Sequence, residues 1–139
     1  TWNILCFDSI LKLMPNARLV HVLRDPRDVV ASYMQMSWSP KEVGQAAKWF
    51  REIMNRWFAI REKVSKDSFL EVRLHDLVQN PRKTLGEVAD FWGIPWSDRL
   101  LEENLGKSHT GRWKKDFDKR QQEVLHEILG EQIEQLGYE

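Results

Sequence analysis

Leu19-Val20-His21-Val22-Leu23-Arg24-Asp25-Pro26-Arg27-Asp28-Val29-Val30-Ala31-Ser32-Tyr33 is the stretch around which the rest of the chain is arranged. Its first five residues are apolar and β-favouring apart from His21, the composition of a strand covered on both faces. At Arg24 the pattern changes. Asp25 suits an N-cap, Pro26 suits the first helical position, and Asp28 falls three residues after the cap, near capping-box spacing. Val29, Val30, Tyr33 and Met34 then recur at helical intervals. The segment reads as strand, tight turn, helix, with Arg24 at the carboxyl end of the strand. Ligands of open α/β sheets bind at that edge. A helix N-terminus there presents backbone N–H groups to an anion, and Arg24 adds a planar, permanently charged fork suited to phosphate. Ser32, eight residues after Arg24, lies about two turns into the helix and offers a hydroxyl for a second hydrogen bond. A purely local role is the alternative: Arg24 pairs with Asp25 or Asp28, and Ser32 packs.

Composition bounds the rest. The chain has 139 residues, enough for one domain, residues 1–139, with an apolar core. Acidic and basic residues balance at 21 each, which argues against a nucleic-acid partner or a general membrane-surface role. No apolar run is long enough to cross a bilayer and no signal-peptide pattern is present. Cys6 is the one cysteine, so no intrachain disulfide forms, and a reducing, cytoplasmic compartment is expected. The seven glycines stand at 44, 86, 93, 106, 111, 130 and 137, and none belongs to a Gly-rich phosphate loop. No Cys/His cluster points to a metal.

Along the chain, apolar residues at 4, 5, 7, 10, 11, 13 and 14 predict one helix over Trp2 to Met14, ending before Pro15-Asn16. Lys41 to about Lys66 is the clearest helix, with a stripe that includes Ala46, Phe50, Ile53, Met54 and Trp57. That stripe reads as core. Phe69 to Leu74 reads as a second buried strand, reached through a long helical crossover, so a parallel βαβ unit is expected. His75 to Asn80 reads as a turn, Pro81 opens a helix to Trp92, and Gly93 ends it. Ser97 is expected to cap a short helix from Asp98 to Leu105. Gly106 to Lys119 is polar, basic and irregular, and Arg120 to Leu136 is a final amphipathic helix ending at Gly137.

In these residues the chain resembles the sulfotransferases that use 3′-phosphoadenosine 5′-phosphosulfate (PAPS). Their second signature is an arginine closing a strand with a serine eight residues on, together holding the cofactor's 3′-phosphate, and Arg24 and Ser32 match it. The lead-in Met14 to Val22 is similar as well. Asp76-Leu77 and the helix opened by Pro81 match a later family element, although Leu74 and His75 stand where the family usually has Tyr-Glu, so the tyrosine that often contacts adenine is absent. Gly111-Arg112-Trp113-Lys114 resembles the Gly-x-Trp-Lys that follows the family's basic C-terminal loop. By position, the resemblance implies Lys107, Ser108 and Arg112 as further contacts of the 3′-phosphate.

The resemblance implies an α/β fold of the P-loop type, a three-layer arrangement with a parallel sheet flanked by helices, present here as an incomplete C-terminal portion. The 5′-phosphosulfate loop is then expected upstream of Thr1, and the chain alone is expected to transfer no sulfuryl group. The implied partners are the nucleotide cofactor and a small-molecule or glycan acceptor with a hydroxyl or amine. The catalytic residues stay unknown: His21 lies mid-strand, His75 in a turn, His109 in the basic segment and His126 on the last helix. Two rivals stay open. One is a P-loop nucleotide kinase, in which Arg24 and Arg27 contact the transferring phosphates. The other is a non-catalytic nucleotide-binding or interaction module.

Overall fold

The computed structural model of the chain describes residues 2–102 and 110–138. In chain order its elements are α1 (Trp2–Leu5), α2 (Phe7–Leu13), β1 (Leu19–Leu23), α3 (Pro26–Tyr33), α4 (Val43–Arg61), β2 (Phe69–Arg73), α5 (Leu74–Gln79), α6 (Pro81–Trp92), α7 (Trp113–Asp116) and α8 (Lys119–Gln135). Single 3₁₀ turns occupy Lys66–Ser68 and Asp98–Leu101. These elements fall into two compact units, Thr1–Leu23 with Ala59–Ser108 and Arg24–Phe58 with His109–Glu139. The architecture is α/β.

The first unit holds the sheet. β1 and β2 pair in parallel with Leu19 opposite Phe69 and Leu23 opposite Arg73, as the long crossover required. His21 stands opposite Glu71, with Nδ1 3.7 Å from that carboxylate, and Arg61 reaches the same carboxylate at 3.2 Å. His21 therefore stands beside the Arg61–Glu71 ion pair on the sheet. The strand is less covered than its composition predicts, for Val22 is 50% exposed while Leu23 is buried.

Three local expectations in this unit change. Trp2 to Leu13 is two short helices, broken where Cys6 leaves helical geometry at φ −109°, ψ 4°; the 3.6-residue periodicity runs through the break and cannot register it. The expected turn at His75 is the helix α5, which takes Leu74 from the strand and ends at Asn80 (φ −132°, ψ 61°), because a residue before proline is pushed out of the helical region. Ser97 sits at the head of a 3₁₀ turn over Asp98–Leu101 without a side-chain cap, and the remainder of the expected helix lies outside the described residues. Asp98 is instead the local centre. It accepts from Trp96 Nε1 at 3.0 Å and from Arg82 at 2.9 Å, and those two bonds, in that order, hold its carboxyl below the usual carboxylate range.

Gly93 ends α6 as expected. It lies at φ +68° with Gly93 N–H bonded to Asp90 O and Ile94 N–H to Ala89 O, a Schellman closure. A Cβ there meets nothing within 4 Å, so Gly93→Ala tests backbone strain alone. It is expected to destabilise the protein by about 1–2 kcal/mol, read as a lower denaturant midpoint with an unchanged slope.

The second unit is a helical cluster. α3 packs on α7 and α8. The α4 stripe is core, with Ala46, Ala47 and Trp57 wholly buried. This helix is shorter than the expected Lys41–Lys66. It starts at Val43 because Glu42 turns its carboxylate onto Gly44 N–H (2.8 Å) and Gln45 N–H (2.7 Å), consuming the first free donors of the helix. α8 begins with a full capping box, Asp118 and Gln121 each accepting the other's backbone N–H. Tyr33, Trp38, Trp49 and Phe50 form an edge-to-face and tilted cluster with centroids 5.4–6.2 Å apart. Among the described residues, no helix is long and apolar enough to cross a membrane.

Candidate functional site

The local rules at the head of α3 work partly as expected. Asp25 is the N-cap: its carboxylate accepts Arg27 N–H at 2.9 Å, and Pro26 stands at the first helical position. The same carboxylate takes a bidentate grip from the Arg27 guanidinium, at 2.9 Å from Nε and 2.7 Å from Nη2. This corrects one expectation. The helix end presents little backbone to an outside anion, because proline has no N–H and the Arg27 N–H is already held by Asp25. Any anion at this turn depends on side chains.

Arg27 is 3% exposed. Its guanidinium carbon lies 4.1 Å from the centroid of the Trp113 ring, and Nη1 is 3.5 Å from His126 Nε2. Arg27 is thus part of the packing between α3, α7 and α8, which removes one of the two arginines that a kinase-like reading needs at the transferring phosphate.

Asp28 departs furthest from its local reading. Its spacing suggests a capping box, yet its carboxylate does not turn back to the cap. Oδ2 accepts Gly111 N–H at 2.7 Å, and Oδ1 accepts Trp113 N–H at 3.1 Å. The residue has no exposed surface. Arg24 Nε lies 3.9 Å from Oδ2, too far for a hydrogen bond but close enough for charge attraction. The local alternative for Arg24 is therefore realised in a loose form, with Asp28 as the partner. The Arg24 side chain keeps 21% exposure, so its charge still reaches solvent.

Asp28 and Ser32 stand one turn apart on α3, and Arg24, just ahead of the N-cap, approaches the Asp28 carboxylate. Ser32 is half-buried. The Asp28 carboxylate brings Arg24 and the backbone of Gly111 to Trp113 together, although Arg24 and Gly111 are far apart in sequence. Gly111 is at φ +77°, a conformation that suits glycine and aims its N–H at Asp28. Arg112, between the two donors, directs Nε onto Asp116 Oδ2 at 2.7 Å, so its guanidinium is braced along α7. Trp113 and Phe117 are buried, and the described part of the basic segment is an anchored turn rather than a solvated loop. Lys107, Ser108 and His109 lie outside the described residues. His75 and His126 are exposed on α5 and α8. Among the described residues no group of three His, Cys, Asp or Glu side chains is placed to hold a metal ion.

A family model described as "Sulfotransferase family" matches residues 1–98, well over half of the chain. The chain belongs to the sulfotransferase family. Its matched part includes Arg24 and Ser32, while the Gly111–Trp113 turn lies beyond it. Protein-tyrosine sulfotransferase A of Caenorhabditis elegans is 30% identical over 105 residues, covering 69% of this chain and 27% of that protein. Protein-tyrosine sulfotransferase 1 of Danio rerio is 28% identical over 107 residues, 71% of this chain and 30% of that one. Among solved structures, a sulfotransferase domain from the curacin biosynthetic pathway superposes with a TM-score of 0.66 at 16% identity, covering 89% of this chain and 54% of that one. The likeness at that identity is one of fold. The chain spans less than a third of the length of these curated sulfotransferases.

Proposed function

We propose that the intact protein transfers a sulfuryl group from PAPS to a hydroxyl or amine acceptor, and that this portion holds the donor's 3′-phosphate. We also infer that both compact units belong to one catalytic domain, and that it works in a reducing, cytoplasmic compartment, in keeping with a lone, exposed Cys6. The observation that carries the reading is the Asp28 carboxylate, which holds the Gly111–Trp113 turn close to Arg24, one helical turn before Ser32. In this reading Arg24, the Ser32 hydroxyl and the turn that follows the basic segment form a donor set suited to a phosphate dianion.

In this reading PAPS supplies a sulfur–oxygen bond that breaks as the acceptor oxygen or nitrogen bonds to sulfur, leaving adenosine 3′,5′-bisphosphate and a proton from the acceptor. Arg24 offers guanidinium N–H groups to the 3′-phosphate, and Ser32 donates its hydroxyl. Lys107, Ser108 and Arg112 add donors from the basic segment. Gripping the 3′ end fixes the nucleotide far from the reacting bond, so the binding energy is used to orient the donor for in-line attack. No residue of this chain is assigned as the base.

The test is a binding comparison on the intact protein. Adenosine 3′,5′-bisphosphate is expected to bind at least about tenfold more tightly than adenosine 5′-phosphate, the worth of one charge-assisted hydrogen bond. Sulfuryl transfer to a phenol, sugar or amine should accompany it. Equal affinity for the two nucleotides would overturn the reading.

A further inference from the structure

We infer that Asp28 is a positioning residue that couples the Gly111–Trp113 turn to Arg24, so that the 3′-phosphate meets both as one assembly. The inference rests on the phosphate reading above and adds a residue that contacts no ligand itself. Asp28 is fully buried, its two oxygens accept two backbone N–H groups and face the Arg24 guanidinium, and those partners come from the two separate stretches of chain that make up the second unit. A carboxylate placed only to complete a capping box would accept the Asp25 N–H and would need none of these partners.

The geometry assigns it two effects. Coulombic attraction across 3.9 Å draws the Arg24 guanidinium towards the Asp28 carboxylate and limits how freely a long side chain samples solvent. The two backbone bonds set the turn that carries Arg112, and through it the exit of the basic segment. Arg27 secures the same turn from the other side by its stack on Trp113. Charge balance agrees with this arrangement. Asp25 is matched by Arg27, and the 3.9 Å separation of Arg24 from Asp28 leaves the Arg24 charge able to act on a phosphate as well.

The experiment uses Asp28→Asn and Gly111→Ala in the intact protein and reads the ratio of dissociation constants for adenosine 5′-phosphate and adenosine 3′,5′-bisphosphate. The amide keeps the size of the side chain but loses one acceptor and the charge that draws Arg24. Asp28→Asn is expected to shrink the ratio roughly 5- to 30-fold while adenosine 5′-phosphate binds as before. Gly111→Ala strains the turn at φ +77° without meeting a neighbour, and should shrink the same ratio by a smaller factor, about 2- to 5-fold. In an Arg24→Met background Asp28→Asn should add less than it does alone, as coupled groups do.

A ratio unchanged in both variants overturns the inference. So does parallel weakening of both nucleotides alongside a lower melting temperature, which is the signature of a merely structural carboxylate. Should Asp28→Asn not fold, Gly111→Ala decides on the same ratio. A wild-type protein that does not distinguish the two nucleotides defeats the phosphate reading itself.

Discussion

Arg24→Met is expected to weaken binding of adenosine 3′,5′-bisphosphate to the intact protein about 10- to 100-fold, because a charge-assisted hydrogen bond to phosphate contributes about 1.5–3 kcal/mol. Adenosine 5′-phosphate should bind wild type and variant alike. Arg24 is not hydrogen-bonded to Asp28, and the Asp28 carboxylate keeps both backbone donors, from Gly111 and Trp113, when the guanidinium is removed. The melting temperature of the variant, read alongside, separates loss of the phosphate contact from loss of stability. Ser32→Ala removes a neutral donor and should cost less, about 1 kcal/mol or some fivefold. The double variant should lose less than the sum, since both groups meet one phosphate. Calorimetry with the two nucleotides decides it: if both weaken equally on losing Arg24, the arginine only holds the turn.

Arg27→Met should act in the opposite way, through stability. Removing one partner of a buried, hydrogen-bonded ion pair leaves an uncompensated carboxylate and costs about 3–5 kcal/mol. Here the pair is Arg27 at 3% side-chain exposure with Asp25 at 2.7 Å, and the stack on Trp113 is lost as well. The expected result is a markedly lower denaturant midpoint. The affinities of the folded fraction for both nucleotides should shift together and only slightly. Adding Asp25→Asn, which keeps a cap acceptor but removes the stranded charge, should recover part of the loss. A stable Arg27→Met protein that selectively loses phosphate binding would restore the kinase-like reading of the two arginines.

These two arginines mark the limit of what spacing reveals. Both stand beside an aspartate, both follow the same strand, and both carry the fork that phosphate prefers. Only packing separates them: Arg27 turns inward onto Trp113 and Arg24 stays at the surface. The Trp113 ring is distant in sequence, so no local pattern could have assigned it. The same holds for the basic segment. Its composition suggests solvated loop, yet Trp113 and Phe117 anchor the described part, and a one-turn helix forms between them.

The sequence by itself determined the strand–turn–helix at Leu19–Tyr33, the parallel pairing of its strand with Phe69–Arg73, the Gly93 stop and the family, because each rests on neighbours within a few residues or on a crossover length. Cap residues, proline and left-handed glycine act through bonds that spacing alone specifies. The tertiary structure decided where Asp28 points. Its spacing is that of the N3 residue of a capping box, but the donors that claim the Asp28 carboxylate lie 83 and 85 residues away in sequence. A buried carboxylate must have partners, and folding brings those two N–H groups within 2.7 and 3.1 Å of it. That long-range choice sets the Gly111–Trp113 turn beside Arg24, and no local rule along α3 could have made it.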